Sequence, residues 1–195
     1  MQHPTQAAEA MKQLKEATQE LAALREKVLK LKRAIPPLTV SDYTLQTPDG
    51  KPISLFSLFD GKDELMVIHN MGRGCRYCTL WADGFNGVVP HFENRAPFVV
   101  VTPDKPEIVK AFSEGRGWKF KILSSHGTSF IKDMGFEDDK GHPQPGVSMF
   151  QKKKDGAVLR TASDSFGPGD EYSAIWHLFD LLPNGVNKWE PQYKY

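Results

Sequence analysis

Two cysteines, Cys75 and Cys78, stand three residues apart in the segment "GRGCRYCTLWADGFNG", and the chain of 195 residues has no others. A lone thiol pair at this spacing can cycle between dithiol and disulfide, supply half of a metal site, or be two buried thiols that are merely neighbours. The residues after Cys75 read as a helix opening. The first helical turn carries about half a positive charge from its unpaired N–H groups, which favours a thiolate at Cys75. Arg73 and Arg76 place full positive charges on either side of it. Only the thiolate attacks a disulfide or a peroxide. One helical turn on, Cys78 is spaced to resolve a mixed disulfide formed on Cys75.

Other residues near the pair admit a chemical and a plain reading. His69 lies six residues before Cys75; a neutral imidazole there could take the proton of Cys78 near pH 7, or simply be hydrogen-bonded at a strand end. Trp81 and Phe85, at i and i+4 on the same helix, read as core, with Trp81 able to border the site as a substrate contact. Asp83 reads as a solvated or capping carboxylate. A metal site needs about four ligands, and two cysteines with His69 and His91 reach that number only if the fold gathers them. The basic run "QKKKDG" has no aromatic interleaving and no supporting basic face, so it reads as a solvated turn rather than a nucleic-acid contact.

The elements that must position these residues are legible in outline. "ELMVIHN" is a short apolar run of buried-strand type that leads directly into the cysteine segment. "PFVVVTP" and "WKFKILSS" are two more strands, and the segment between them suits a helix over 105–116 with Pro106 in its first turn. "DYTLQTPDGKPISL" reads as a hairpin turning at Pro48-Asp49-Gly50, and "SLFSLFDGK" as one helical turn. "GVSMFQKKKDGAVLRTAS" is a second hairpin around Asp155-Gly156, and "DEYSAIWHLFDLLPNG" an amphipathic helix closed by Pro183-Asn184-Gly185. The order implies an α/β sandwich in which a parallel pair of strands is extended by an antiparallel hairpin.

Residues 5–34 stand apart. Ala7, Ala10, Leu14, Ala17, Leu21, Leu24, Val28, Leu31 and Ile35 are spaced alternately by three and four, a heptad seam with Glu and Lys between. Pro36-Pro37 stops the pattern. Such a helix spans about 45 Å, and it either lies on its own domain or forms an arm that packs against a second copy as a homodimer. The implied organisation is an arm over 1–36, a domain over 37–185 and a tail over 186–195.

Composition narrows the class. Hydrophobic residues at 39% and charged residues at 25% suit a soluble globular protein, and a net charge of +1 offers no general attraction to nucleic acid or an anionic membrane. No apolar run approaches the ~20 residues of a membrane span. The N-terminus "MQHPTQAAEAMKQLKE" has no apolar core of signal-peptide type, so the cytoplasm is expected, where a C-x-x-C is more often chemical than structural.

The succession strand, C-x-x-C, helix, strand, helix, then "PGVSMF" and a hairpin resembles the thioredoxin fold, a three-layer α/β sandwich. The lead-in "DYTLQTPDGKPISLFSLFDGK" looks more like its peroxiredoxin-like branch. Over nearly the whole chain the text is similar to a bacterial thioredoxin-like family, domain-of-unknown-function family 899: the charged N-terminal helix, "DY…DGK…SLFDGK", the C-x-x-C followed by "AD…G", "GVS-F" and "LFDLLPNG". The resemblance implies the fold, and by analogy a thiol–disulfide oxidoreductase acting on disulfide-bearing proteins or small thiols, with no bound cofactor. A peroxiredoxin-like thiol peroxidase and a non-catalytic binding module are the alternatives. It also implies that Pro145 of "QPGVSMF" is a cis-proline framing the substrate beside the cysteines. Departures from the thioredoxin pattern are Arg76-Tyr77 in place of Gly-Pro and His69 in place of a buried carboxylate. Against the peroxiredoxin pattern, Gly72 falls where a threonine would.

Overall fold

The structure, a computed structural model, describes residues 4–195; the first three residues of the expected arm lie outside the described residues. The chain divides between Pro36 and Pro37 into two units. The first is a single helix, α1 (Pro4–Ala34). Lys32 and Arg33 in its last turn face the negative end of the helix dipole, and the double proline bars its continuation. Leu14, Leu21, Leu24, Val28 and Leu31 of the seam are exposed. Among the described residues no helix is long and apolar enough to cross a membrane.

The second unit is built on one eight-stranded sheet. Its strands are β1 (Leu38–Val40), β2 (Thr44–Gln46), β3 (Pro52–Ser54), β4 (Glu64–His69), β5 (Phe98–Thr102), β6 (Lys121–Ser124), β7 (Gly146–Lys152) and β8 (Val158–Ser165), in the spatial order β1-β8-β7-β4-β5-β6-β2-β3. β4, β5 and β6 run parallel, with Val67 opposite Val99 and Val100 opposite Ile122. The sequence implies a parallel pair; the third strand joins because helix α4 (Pro106–Arg116) carries the chain back over the sheet before β6. β7 lies antiparallel against β4 and turns into β8. The β2–β3 hairpin closes the far edge.

The remaining helices are α2 (Arg76–Asn86), α3 (Val89–Arg95), α5 (Phe130–Asp133) and α6 (Ala174–Asp180), with a 3₁₀ turn over Leu55–Phe59. Residues 89–95 and 130–133 have too short an apolar period to be read as helices from sequence. The last helix is shorter than its amphipathic pattern suggests. Asp170 accepts from the Gly167 and Tyr172 backbone N–H groups (3.0 and 2.9 Å), which holds the preceding residues in a turn until Ala174.

Side chains alternate across the sheet and so build two core layers. Leu65 and Val67 face a layer with Leu58, Phe59, Phe130, Phe136 and Phe150. Ile68 faces the opposite layer, with Cys78, Trp81, Phe85, Phe98 and Val147. This alternation decides which residues can meet the thiols.

Candidate active site

Cys75 is presented by a tight loop between β4 and α2. The Asn70 side-chain oxygen accepts from the Gly72 N–H at 2.8 Å, and Asp104 Oδ2 accepts from the Arg73 N–H at 2.6 Å. Gly72 has φ +99°, and a Cβ on it would stand 2.9 Å from Asp104 Oδ2. Only glycine fits that loop, for the backbone angle and the carboxylate both exclude a side chain.

Cys75 is the N-cap of α2, in extended conformation with φ −100° and ψ 108°. Its Sγ accepts from the Cys78 N–H at 3.1 Å, the position that a serine or aspartate oxygen usually fills. Cys78 lies one turn inside the helix, 3% exposed, with its own Sγ taking the Met71 N–H at 3.5 Å. The two sulfurs therefore sit in unlike surroundings. The hydrogen bond from the Cys78 thiol lowers the Cys75 pKa to about 6; the backbone N–H groups of Cys78 and Tyr77 add to it, and burial opposes it. The Cys78 thiol is pushed up, first by holding its proton toward Cys75 and then by burial.

The arginines do not act as their proximity in sequence suggests. Arg76 is exposed and paired with Glu190 at 2.9 Å, and neither Arg73 nor Arg76 is among the groups that move the Cys75 pKa. Hydrogen bonds, not side-chain cations, make the thiolate.

His69 is a correction. It alternates with Ile68, so its ring enters the layer opposite the cysteines and stacks on Phe136 (centroids 3.9 Å apart) and Phe130 (5.6 Å). Its Nε2 meets the Ser148 hydroxyl at 2.9 Å. Burial holds its pKa down to about 3, with the Arg160 charge a lesser cause, and Nδ1 has no hydrogen-bond partner. The imidazole is a buried neutral wedge, not a base for Cys78. Gly146, opposite His69 on β7, explains part of "PGVSMF": a Cβ there would collide with the Phe136 ring and the Asp164 carbonyl.

Pro145 and Trp81 lie with Cys78, but not Cys75, around one cavity. A narrow cavity beside Cys78 is bounded by Ile68, Asn70, Trp81, Ala82, Pro145 and Phe166, with His69 in its wall. The Gln144–Pro145 bond is trans, as is His142–Pro143, against the cis expectation. The turn before β7 delivers the proline without it: the Gln144 N–H bonds the Phe136 carbonyl at 2.7 Å, and the Pro145 carbonyl takes the Phe166 N–H at 3.0 Å. Trp81 is 3% exposed and gives its indole N–H to Asp170 at 3.3 Å, so it is core that also borders the cavity.

Four residues at the site escape a reading of the sequence alone. Asn70, two residues before Gly72, carries the signal of an Asx turn. Asp104, Glu190 and Tyr193 carry none, because they come from loops distant in sequence. Among the described residues no three His, Cys, Asp or Glu side chains gather as a metal-ligating cluster.

A C-x-x-C at the head of the helix that succeeds a central strand, in a sheet of three parallel strands continued by an antiparallel hairpin, is the layout of a thioredoxin-like fold. Solved structures agree on the fold. The chain is similar to the peroxidoxin BcpB of Mycobacterium tuberculosis (TM-score 0.54, 23% identity, 66% of this chain and 84% of that one). It is similar to a peroxiredoxin-like protein of Aquifex aeolicus (TM-score 0.54, 18% identity, 67% and 77%) and to reduced Prx3 of Vibrio vulnificus in complex with hydrogen peroxide (TM-score 0.55, 17% identity, 68% and 88%). No curated protein matches it. Residues 2–195 match the family described as "Bacterial protein of unknown function (DUF899)", and the chain belongs to that family.

Proposed function

We propose that the chain is a thiol–disulfide oxidoreductase whose Cys75 and Cys78 cycle between dithiol and disulfide. The asymmetry of the pair carries this reading: a half-buried N-cap sulfur lowered to about 6 beside a buried thiol that keeps its proton. The Cys75 thiolate attacks one sulfur of a substrate disulfide, and the other substrate sulfur leaves as a thiolate. Cys78 then attacks the Cys75 sulfur, its proton passing to the departing thiolate. The substrate gains two electrons and one proton from the pair, the first departing thiolate takes its proton from water, and the protein is left with a Cys75–Cys78 disulfide. Ile68 and Pro145 flank the cavity in which the resolving sulfur lies.

The test is trapping. Cys78→Ser should accumulate mixed disulfides with a small disulfide such as oxidised glutathione, and Cys75→Ser should accumulate none. Equal trapping, or none in either variant, sinks the proposal. A redox titration of the wild-type pair against glutathione then separates a reductant from an oxidant.

The shared fold with a peroxidoxin supports a second reading, in which the electrophile is a peroxide. Cys75 would take the terminal oxygen to become a sulfenic acid, an alcohol or water would leave, and Cys78 would condense with it to the disulfide with loss of one water. Gly72 weighs against it. The peroxiredoxin threonine would fall on a backbone angle of +99° pressed against Asp104. Stopped-flow peroxide consumption by the reduced protein decides between the two substrates.

We also propose that α1 pairs with a second copy of the chain along its exposed leucine seam.

A further inference from the structure

The last ten residues return to the cysteine loop and are fastened on both sides of Cys75. Before the cysteine, the Tyr193 hydroxyl donates to the Arg73 carbonyl at 2.9 Å, joining residues 120 positions apart. After it, Arg76 Nη2 meets Glu190 Oε2 at 2.9 Å. A third tie comes from α4, where Arg116 gives Nη1 to the Tyr193 carbonyl at 2.7 Å while its other side holds Asp83 of α2.

Aromatic packing roots the segment. Trp189 meets Phe179 and Trp176 edge-on, with centroids 5.0 and 5.9 Å away, and the Tyr193 ring meets Phe112 at 6.2 Å. Pro191, between the fasteners, is buried. The reversal that aims the chain this way is strained, since Asn187 and Lys188 are consecutive non-glycine residues at φ +46° and +59°. A strained turn persists only where the adjoining chain is held in place, and Trp189 supplies the hold.

We propose that Glu190–Tyr193 is the specificity-determining wall of the Cys75 site, with Tyr193 its principal residue, and that it admits narrow electrophiles such as small unbranched disulfides or hydroperoxides while excluding bulky ones. The proposal rests on Cys75 being the attacking thiolate. The charges of Cys75 and Cys78 are among the causes that raise the Tyr193 pKa, which sets the ring near the sulfurs. No residue of the segment is among the groups that move the Cys75 pKa, so the wall acts on access and not on acidity. The Arg76–Glu190 tie is exposed to water and so weak by itself; the tyrosine, held at both its hydroxyl and its carbonyl, sets the gap.

Paired alkylation rates on the full chain test this above the Cys75 midpoint, with modification at Cys75 read by mass spectrometry. Iodoacetamide is the narrow probe and fluorescein maleimide the bulky one. Tyr193→Ala should raise the maleimide rate about tenfold or more and the iodoacetamide rate less than about twofold. Glu190→Gln, which disturbs only an exposed pair, should shift the ratio in the same direction by a smaller factor. Any outcome without a selective gain for the bulky probe overturns the wall. Because alkylation needs no redox partner, selectivity without disulfide trapping would retire the oxidoreductase reading and keep the wall, and trapping without selectivity would do the reverse.

Discussion

Replacing Cys78 by alanine removes the thiol that donates to Cys75 and leaves the backbone N–H at 3.1 Å in place. A hydrogen bond to a charged group is worth about 1.5–3 kcal/mol. At about 1.4 kcal/mol per pH unit, its loss should move the Cys75 midpoint from about 6 up by about 1–2 pH units. With a midpoint near 7.5, the thiolate fraction at pH 7 falls from about nine-tenths to about one-quarter. A more basic thiolate is also the better nucleophile: a Brønsted slope of about 0.4–0.5 makes it about four- to sixfold faster. The two effects nearly cancel at pH 7, so a single rate reveals nothing and the whole pH profile is needed. The assay is iodoacetamide alkylation from pH 4 to 10, checked by thiolate absorbance near 240 nm. Cys78→Ala should show the raised midpoint and a faster alkaline plateau, whereas Cys78→Ser, which keeps an O–H donor, should stay within about half a pH unit of wild type. Arg76→Ala, which removes an exposed and already paired cation, should leave the midpoint in place. A midpoint unmoved in Cys78→Ala and raised in Arg76→Ala would refute the reasoning, by showing that charge and not the thiol pair makes the thiolate.

Burial keeps His69 neutral to about pH 3, while the unfolded chain takes up that proton below about pH 6.5. The unfolded state thus binds more protons in that window, and stability should fall on acidification by about 1.4 kcal/mol per pH unit. Urea unfolding at several pH values should show His69→Gln with a shallower slope, and an identical slope would mean that His69 does not titrate on unfolding. Gly146→Ala forces a methyl group into Phe136 and the Asp164 carbonyl, at an expected cost of about 1–3 kcal/mol in denaturant unfolding; unchanged stability would show that the two layers have slack there. Deleting residues 1–36 should convert a dimer to a monomer in light scattering and leave the remaining unit folded by circular dichroism, and a full-length chain already monomeric at high concentration would end the pairing proposal.

What the sequence determined by itself is local. Backbone signals within a few residues marked α1, the two hairpins and the strands around "ELMVIHN" and "PFVVVTP", because period, proline and glycine act on neighbouring φ and ψ angles. Cys75 at a helix start was readable for the same reason, and the order of elements sufficed for the thioredoxin-like class. The tertiary structure alone decided which neighbours in sequence become neighbours in space. His69 and Ile68 are adjacent in the chain and point into opposite layers, so a one-residue difference in strand phase removed the histidine from the thiols. Arg76 stands beside Cys75 in the text yet spends its charge on Glu190, while Asp104, with no sequence signal, holds the loop across a separation of 31 residues. The tail over 186–195 is tied to the cysteine loop by Tyr193 and Glu190. The charge on Cys75 is set by hydrogen bonds from Tyr77 and Cys78 within the same turn, whereas the hold on its loop depends on contacts between distant segments, and no local pattern encodes those.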